Sequence, residues 1–210
     1  MWRWRRTHLG TEADRATFRT LHTASLAAPA LREGLTETSA ERSVRHLRAL
    51  LGTPAAALTD TSGVLAWDGA GHHHAAEVPD LADGAPTRIV ETKPCSCPVR
   101  QLVISPLVVE EVLVGTLVVG APNATGSLVR AANEVAAWVS GQLELARLDD
   151  SRTALMEAEV RALRAQISPH FIYNSLGAIA SFVRTDPDRA RELLLEFADF
   201  TRYSFRSHGD

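Results

Sequence analysis

Two helices are predicted at the start of the chain, because apolar residues there recur at spacings of three and four. The first begins with a capping box at Thr11 and should end near Ala28, since Pro29 cannot donate a backbone hydrogen bond within a helix. The second begins with a similar box at Thr38 and should stop at Gly52. The first helix should have Phe18, Leu21 and Ser25 on one face, and the second should have Val44, Leu47 and Leu51 on one face.

Four strands are predicted next, at residues 55–59, 64–67, 101–106 and 112–119. The first two flank a turn at 60–63, and the last two are joined by a poorly marked turn at 108–111. The last strand is apolar on both faces, which is typical of a central strand covered by helices on at least one side. Between the two strand pairs, residues 69–86 predict a long loop with one helical turn.

One long helix is predicted from about residue 127 to residue 167, where the chain contains no proline and a single glycine. Two helices broken near Asp149 are the alternative, because Asp149 and Asp150 interrupt the apolar positions. The lack of a helix breaker at that point favours the single helix. Apolar residues in its last part repeat at four, three and four positions, which is the pattern of a coiled-coil seam. That seam consists of Met156, Val160, Leu163 and Ile167.

A helical hairpin is predicted at the end of the chain. Pro169 interrupts the long helix, and apolar positions continue beyond it to Phe182. Asp186 and Pro187 then predict the start of a last helix, with Asp186 as its N-terminal cap. The predicted fold class is α+β: an antiparallel sheet flanked by helices, followed by a long signalling helix and a dimerising helical hairpin.

The composition is that of a globular protein, with 45% apolar and 22% charged residues among 210. The net charge of −3 gives no reason to expect a nucleic-acid partner. Two cysteines make no disulfide framework and indicate a reducing compartment, so we expect a cytoplasmic chain. We divide it into a basic, aromatic stub at 1–10, a sheet-containing sensor domain at 11–147 and a helical part at 148–210.

Membrane attachment is an open question at the start of the chain. No stretch reaches the roughly 18 apolar residues that span a bilayer. The first six residues, MWRWRR, nevertheless alternate rings and arginines as segments beside membrane spans do. Two interpretations stay open: a solvated terminus, and the cytoplasmic part of an inner-membrane protein whose spans precede this sequence.

His170 is the candidate catalytic residue. It follows Pro169 directly, and the amides of Gln166 and Asn174 stand four residues before and after it. At helical spacing these three residues share one face. A neutral imidazole nitrogen is a nucleophile that can form a covalent intermediate, and the amides can orient it or position a water molecule. By spacing alone, an ordinary core or surface histidine also accounts for the pattern.

Residues 166–176, QISPHFIYNSL, resemble the phosphoacceptor motif of LytS-type sensor histidine kinases, Q-I-x-P-H-F-[LIF]-[FY]-N-x-L. The resemblance implies that His170 takes the γ-phosphoryl group of ATP and passes it to an aspartate of a response regulator. It implies that Asn174 assists this transfer or the hydrolysis of phosphohistidine, and Gln166 matches the first position of the motif. The coiled-coil seam adds the expectation of a parallel homodimer.

The upstream part resembles a GAF domain in its order of helices and strands. Residues 104–120, ISPLVVEEVLVGTLVVG, look like the GAF strand pair that ends in G-x-L-x-x-G. GAF folds serve as small-molecule, redox or purely structural input modules, so the signal is left open. A non-catalytic GAF module that senses a ligand or a metal and only dimerises is therefore the alternative function.

Kinases of this family need a separate ATP-binding domain after the hairpin. Residues up to Asp210 supply neither that domain nor a phosphate-binding glycine loop. We therefore expect ATP to be the cofactor of the full-length relative and not to be bound by this chain. The chain is then either a portion of a kinase or a relative that other proteins phosphorylate.

Cys95 and Cys97 are candidate metal ligands, since His72, His73 and His74 lie upstream in the same loop region. Zinc, copper and iron prefer such ligands. The C-x-C spacing departs from the C-x-x-C of common zinc sites, and a histidine run in a loop is usually solvated. We predict ordinary loop residues without a metal, and keep metal or redox sensing as the alternative.

Overall fold

The computed structural model describes residues 11–78, 86–166 and 169–206, with side chains except those of 163–169 and 202–206. The predicted stub at 1–10 lies outside these residues. The chain divides into two compact units, Met1–Ser151 and Arg152–Asp210. The first contains the sheet, and the second contains the two C-terminal helices.

The first helix, α1, covers Glu12–Leu31 and has the predicted capping box. The backbone N–H of Asp14 donates to Oγ1 of Thr11 at 3.3 Å, and the Asp14 carboxylate accepts from the backbone N–H of Thr11 at 2.7 Å. The predicted end at Ala28 is wrong, because α1 continues through Pro29. Only two helical residues follow the proline, and both are buried, which offsets the missing amide.

The face of α1 that carries Phe18 and Leu21 is not the part of the helix that is buried. Phe18 and Leu21 are 70% and 66% exposed, whereas Ala27 and Leu31 are fully buried. Only the C-terminal turns of α1 reach the core, and small residues there allow close packing. Apolar spacing alone did not distinguish the exposed part of the helix from the buried part.

The second helix, α2, covers Glu37–Leu51 and is capped by Thr36 rather than by the predicted Thr38. The backbone N–H of Thr36 donates to Oγ of Ser39 at 2.9 Å, and that of Ser39 donates to Oγ1 of Thr36 at 3.2 Å. A serine thus takes the place of the usual Glu or Gln, which is why the box was not recognised. Gly52 ends the helix as predicted, with a φ of 65°.

Five antiparallel strands form the sheet in the order β2-β1-β5-β4-β3. They cover Ala55–Thr59 (β1), Val64–Gly69 (β2), Arg88–Glu91 (β3), Gln101–Val109 (β4) and Val112–Ala121 (β5). β5 is central, as predicted. β4 was expected to end at Pro106 but continues to Val109. Beyond Ile104, β4 pairs only with β5, so its other edge is unpaired by strands there. A proline, which has no amide hydrogen, is tolerated at such an edge.

The fold class, α+β with an antiparallel sheet flanked by helices, is confirmed. A short strand and the backbone conformation of the predicted turn at 108–111 went unpredicted. β3 is a short edge strand of four residues with alternating burial, too brief to be recognised by pattern. Glu110 and Glu111 form the turn between β4 and β5 with positive φ angles of 50° and 64°, which residues other than Gly and Asn rarely adopt.

The long helix is confirmed as one element: α3 covers Gly126–Gln166. It is followed by α4 at Pro169–Phe182 and α5 at Pro187–Arg206. In the first unit, α1, α2 and the first part of α3 bury the core on one face of the sheet, around Leu47, Leu58 and Leu117. The other face carries a smaller apolar cluster, which includes Val78, Val99 and Cys97 from the connecting segments.

The predicted helical turn in the loop after β2 is a 3₁₀ helix at His72–Glu77. It begins at Gly71, whose φ of 71° reverses the chain. The turn brings one histidine of the run towards the sheet, on the side of the smaller cluster.

Candidate phosphoacceptor site and the histidine–cysteine cluster

His170 is the second residue of α4, and its side chain is exposed. Pro169 is the first residue that the structure describes in α4. Asn174 lies four residues further along the same helix, is exposed as well, and therefore shares a face with His170. An exposed imidazole in the first turn of a helix is accessible to a large donor such as a nucleotide-loaded domain.

Gln166 is the last residue described in α3, whereas His170 and Asn174 belong to α4. Residues 167–168 lie outside the described part of the chain, so the expectation that Gln166 shares a helix face with His170 and Asn174 stays a prediction. The side chain of Gln166 lies outside the described part of the chain.

The pair of helices α4 and α5 leaves large apolar side chains half-exposed. Phe171 packs against Phe200 and Phe197, with ring centroids 5.1 and 6.4 Å apart. Phe171 and Phe200 are nevertheless 45% and 49% exposed, and Leu194 is 50% exposed. A groove of about 320 Å³ runs between these rings and Ile179. Exposed apolar surface of this kind is typical of helix pairs that pack against other helices.

The connection between α4 and α5 is built as predicted. The Asp186 carboxylate accepts a hydrogen bond from the backbone N–H of Arg189 at 3.1 Å, which makes Asp186 the cap of α5. Of the seam predicted in α3, Met156 and Val160 are 68% and 47% exposed in this single chain. Leu163 and Ile167 lie outside the described side chains.

A second group of reactive side chains lies in the first unit. Ligand atoms of His73, His74, Cys95 and Cys97 all lie within 4.8 Å of one another. Nε2 of His74 is 3.3 Å from the Sγ atoms of both cysteines, which are 2.9 Å apart and are free thiols. The expectation that the histidine run is solvated is therefore wrong for His74, which is fully buried. His72 and His73 are exposed, as expected.

Glu77 is a functional candidate that the sequence reasoning missed. Its Oε1 lies 2.8 Å from Nδ1 of His74, and its Oε2 accepts from the backbone N–H of Lys93 at 3.3 Å. The carboxylate thus joins the 3₁₀ helix to the segment that carries the cysteines. The i,i+3 spacing of His74 and Glu77, with one helical turn predicted there, was the available signal.

The charges of the cluster influence one another. The hydrogen bond from Cys97 lowers the pKa of the Cys95 thiol to about 6. The same hydrogen bond raises the pKa of Cys97. Burial lowers the pKa of His74, but hydrogen bonds with Glu77 and Cys95 outweigh that effect and raise it overall. The site therefore favours a thiolate on Cys95, with the guanidinium of Arg100 3.5 Å from its Sγ.

A comparison with models of known protein families identifies the class to which the second unit is similar. Residues 158–210, which contain His170 and Asn174, match the family model described as Histidine kinase. The exposed histidine at the start of α4 therefore lies inside the matched region.

The particular relatives are LytS proteins. The chain is 30% identical over 204 residues to "Sensor protein LytS" of Bacillus subtilis, which covers 89% of this chain and 34% of the relative. It is 33% identical over 193 residues to "Sensor histidine kinase/phosphatase LytS" of Staphylococcus aureus, which covers 83% of this chain and 33% of the relative. The resemblance to LytS-type sensor histidine kinases is thereby confirmed. The chain spans about a third of the length of these relatives.

Solved structures similar to the chain include GAF domains. One comes from a proposed sensor histidine kinase of Pseudomonas syringae pv. tomato, with 17% identity, a TM-score of 0.48, and coverage of 68% of this chain and 96% of that one. Another comes from the phosphoenolpyruvate-protein phosphotransferase of Acinetobacter, with 11% identity, a TM-score of 0.44, and coverage of 61% and 94%. Within the described residues, no helix is both long enough and apolar enough to cross a bilayer.

Proposed function

We propose that this chain is the GAF-type input and phosphoacceptor portion of a two-component sensor histidine kinase. In this proposal His170 receives the γ-phosphoryl group of ATP and passes it to an aspartate of a response regulator. The observation that carries the proposal is the exposure of His170 in the first turn of α4, within the segment that matches the histidine kinase model.

The proposed chemistry is two in-line phosphoryl transfers. In the first, a neutral imidazole nitrogen of His170 attacks the γ-phosphorus of ATP; the new N–P bond forms as the bond to the bridging oxygen breaks and ADP leaves. In the second, a regulator aspartate attacks the same phosphorus, the N–P bond breaks and the imidazole is restored. Both steps need open approach to the ring, which its exposed position supplies.

Asn174 is proposed to act on the phosphorylated form. It lies one helical turn from His170 on the same exposed face, and its amide carries no charge that would repel a phosphoryl group. An amide in that position can hold a water molecule for hydrolysis or orient the transferred group. Gln166 is kept as a proposed third member on the strength of the motif alone.

We also propose a homodimer and a cytoplasmic position. The half-exposed rings of α4 and α5 and the exposed seam residues Met156 and Val160 are more apolar surface than a small helical unit usually leaves in water. A second copy of the chain supplies a matching surface. ATP, the response regulator and free thiols all belong to a reducing cytoplasm.

The test is phosphorylation in trans. The chain is incubated with radiolabelled ATP and a separately purified ATP-binding region of the Bacillus subtilis relative. We compare the unchanged chain with His170→Gln, which keeps a polar side chain but removes the nucleophile. His22→Gln is the matched control, since His22 is also an exposed histidine in a helix.

The expected result is acid-labile label on the unchanged chain and on the His22→Gln variant, and none on His170→Gln. Undiminished label on His170→Gln would falsify the assignment. A complete lack of label on all three, while the same ATP-binding region labels its own helical hairpin, supports the second candidate: a sensing module that only dimerises.

A further inference from the structure

We propose that His73, His74, Cys95 and Cys97 bind a zinc ion in the first unit. The proposal concerns a site separate from His170 and holds whether or not His170 accepts phosphate. It rests on three features: the distances among the four ligand atoms, the carboxylate behind the buried His74, and the way the fold brings two distant segments together.

The ligand set fits four-coordinate zinc. Two thiolate sulfurs and two imidazole nitrogens are a common structural zinc set, and in a tetrahedron their atoms lie ~3.3–3.8 Å apart. Here Nε2 of His74 is 3.3 Å from both Sγ atoms, and all four ligand atoms lie within 4.8 Å. The two Sγ atoms are 2.9 Å apart and need to separate by less than an ångström, roughly, to reach tetrahedral spacing.

The carboxylate of Glu77 gives His74 the orientation of a metal ligand. With Nδ1–H of His74 donating to Oε1 at 2.8 Å, the lone pair of Nε2 points at the two thiols. Histidines that bind zinc almost always donate their other nitrogen to such a carboxylate or carbonyl. The His74 side chain is only 1% exposed and that of Glu77 is 18% exposed, so the imidazole is held in place at the inner side of the cluster.

The fold constructs the site from two distant segments. The 3₁₀ helix supplies both histidines, and the segment before β4 supplies both cysteines. Glu77 also accepts from the backbone of Lys93, which fixes one segment against the other. Cys97 packs on the apolar cluster behind the sheet, Cys95 is partly buried, and His73 is exposed at the outer side of the cluster.

Zinc is preferred over other metals because of charge and softness. Two thiolates and two neutral imidazoles carry a charge of about −2, which a divalent ion neutralises. Mixed nitrogen and sulfur ligands in a tetrahedral arrangement suit zinc, whereas magnesium and calcium require oxygen ligands.

The test measures zinc on the full chain. Protein purified under reducing conditions is stripped with a chelator, reloaded with zinc, desalted and measured by elemental analysis. Affinity is then obtained by competition with a chromophoric chelator, and cobalt is used as a visible probe of thiolate ligation. The variants are Cys95→Ser, Cys97→Ser and Glu77→Gln. His72→Ala is the matched control, because His72 belongs to the same run but lies outside the cluster.

The expected result is one zinc per chain for the unchanged protein and for His72→Ala, with sulfur-to-cobalt charge-transfer absorption in the cobalt form. Each serine variant should lose at least 100-fold in affinity. Glu77→Gln should lose about 10- to 100-fold, since it removes a positioning carboxylate and no ligand. Circular dichroism of the metal-free serine variants should match that of the metal-free unchanged protein, because both cysteines are only partly buried.

Three outcomes overturn the proposal. The first is less than a tenth of an equivalent of zinc on the reloaded protein. The second is equal affinity in the serine variants and in His72→Ala. The third is a Cys95–Cys97 disulfide that persists under reducing conditions, shown by thiol titration of the denatured chain.

Discussion

Substitution of Gly71 by alanine tests how closely the backbone approaches the histidine–cysteine cluster. Gly71 has a φ of 71°, and a Cβ added to it would lie 3.1 Å from Cδ2 of His74 and 3.2 Å from Sγ of Cys97. It would also lie 3.2 Å from Cγ2 of Val99. A side chain at this position therefore meets two penalties, one from the backbone conformation and one from crowding.

The two penalties can be separated with Gly52→Ala. Gly52 has a similar φ of 65°, but a Cβ there meets no atom within 4 Å. Left-handed φ costs a residue with a Cβ about 1–2 kcal/mol, and overpacking a core costs about 1–3 kcal/mol more. We therefore expect Gly52→Ala to lower the free energy of unfolding by about 1–2 kcal/mol and Gly71→Ala by roughly 2–5 kcal/mol.

The assay is urea unfolding of the metal-free chain followed by tryptophan fluorescence. All four tryptophans belong to the first unit, and Trp67 and Trp138 pack against its two apolar clusters, so the signal reports on the unit that contains both glycines. The free energy of unfolding should fall with urea concentration at the same slope in both variants, so that a change in the unfolding midpoint measures a change in stability. In a parallel zinc competition, only Gly71→Ala should weaken binding. Equal destabilisation by the two substitutions, with unchanged zinc affinity in both, would refute the reasoning.

Three further predictions concern association, dephosphorylation and acid stability. Sedimentation at tens of micromolar should show a dimer, since burying each large seam residue contributes roughly 1.5–3 kcal/mol; a monomer contradicts the proposed association. Asn174→Ala should accept phosphate as the unchanged chain does but release it more slowly, measured as the decay of label after ATP is removed; equal decay argues against its role. Hydrogen bonds from Ser62 hold the pKa of Asp60 below its usual 3.8. The ionised Asp60 carboxylate therefore stabilises the folded chain above pH 3.8, and this contribution is lost as the pH falls below that value. Asp60→Asn should therefore cost about 1 kcal/mol at pH 7, allowing for solvent screening, and the difference should shrink in urea titrations at progressively lower pH.

Much of the fold could be predicted because its signals are local. The apolar run of β5 indicates a central strand, the capping box at Thr11 starts α1, and the lack of a breaker near Asp149 makes α3 continuous. The errors occur where tertiary contacts override local preference. Pro29 stays inside α1 because the residues after it are buried, and β3 exists only through its pairing with β4.

The two candidate sites differ in how far sequence could define them. His170 and Asn174 are close in sequence, so one helix is enough to place them on the same face. The cluster around His74 depends instead on a long-range contact between the 3₁₀ helix and the segment of Cys95 and Cys97. Sequence spacing cannot reveal that contact, whereas the i,i+3 spacing of His74 and Glu77 was a local signal for their pairing.

The most direct test of the central claim is to locate the phosphoryl group on the labelled chain. After phosphorylation in trans, the protein is digested at mildly alkaline pH, where phosphohistidine survives, and its peptides are sequenced by mass spectrometry. The account predicts one phosphohistidine, at His170, whose phosphate disappears when a response regulator is added and reappears on a regulator aspartate. Phosphate at another histidine, or phosphate on His170 that no regulator can remove, would contradict it.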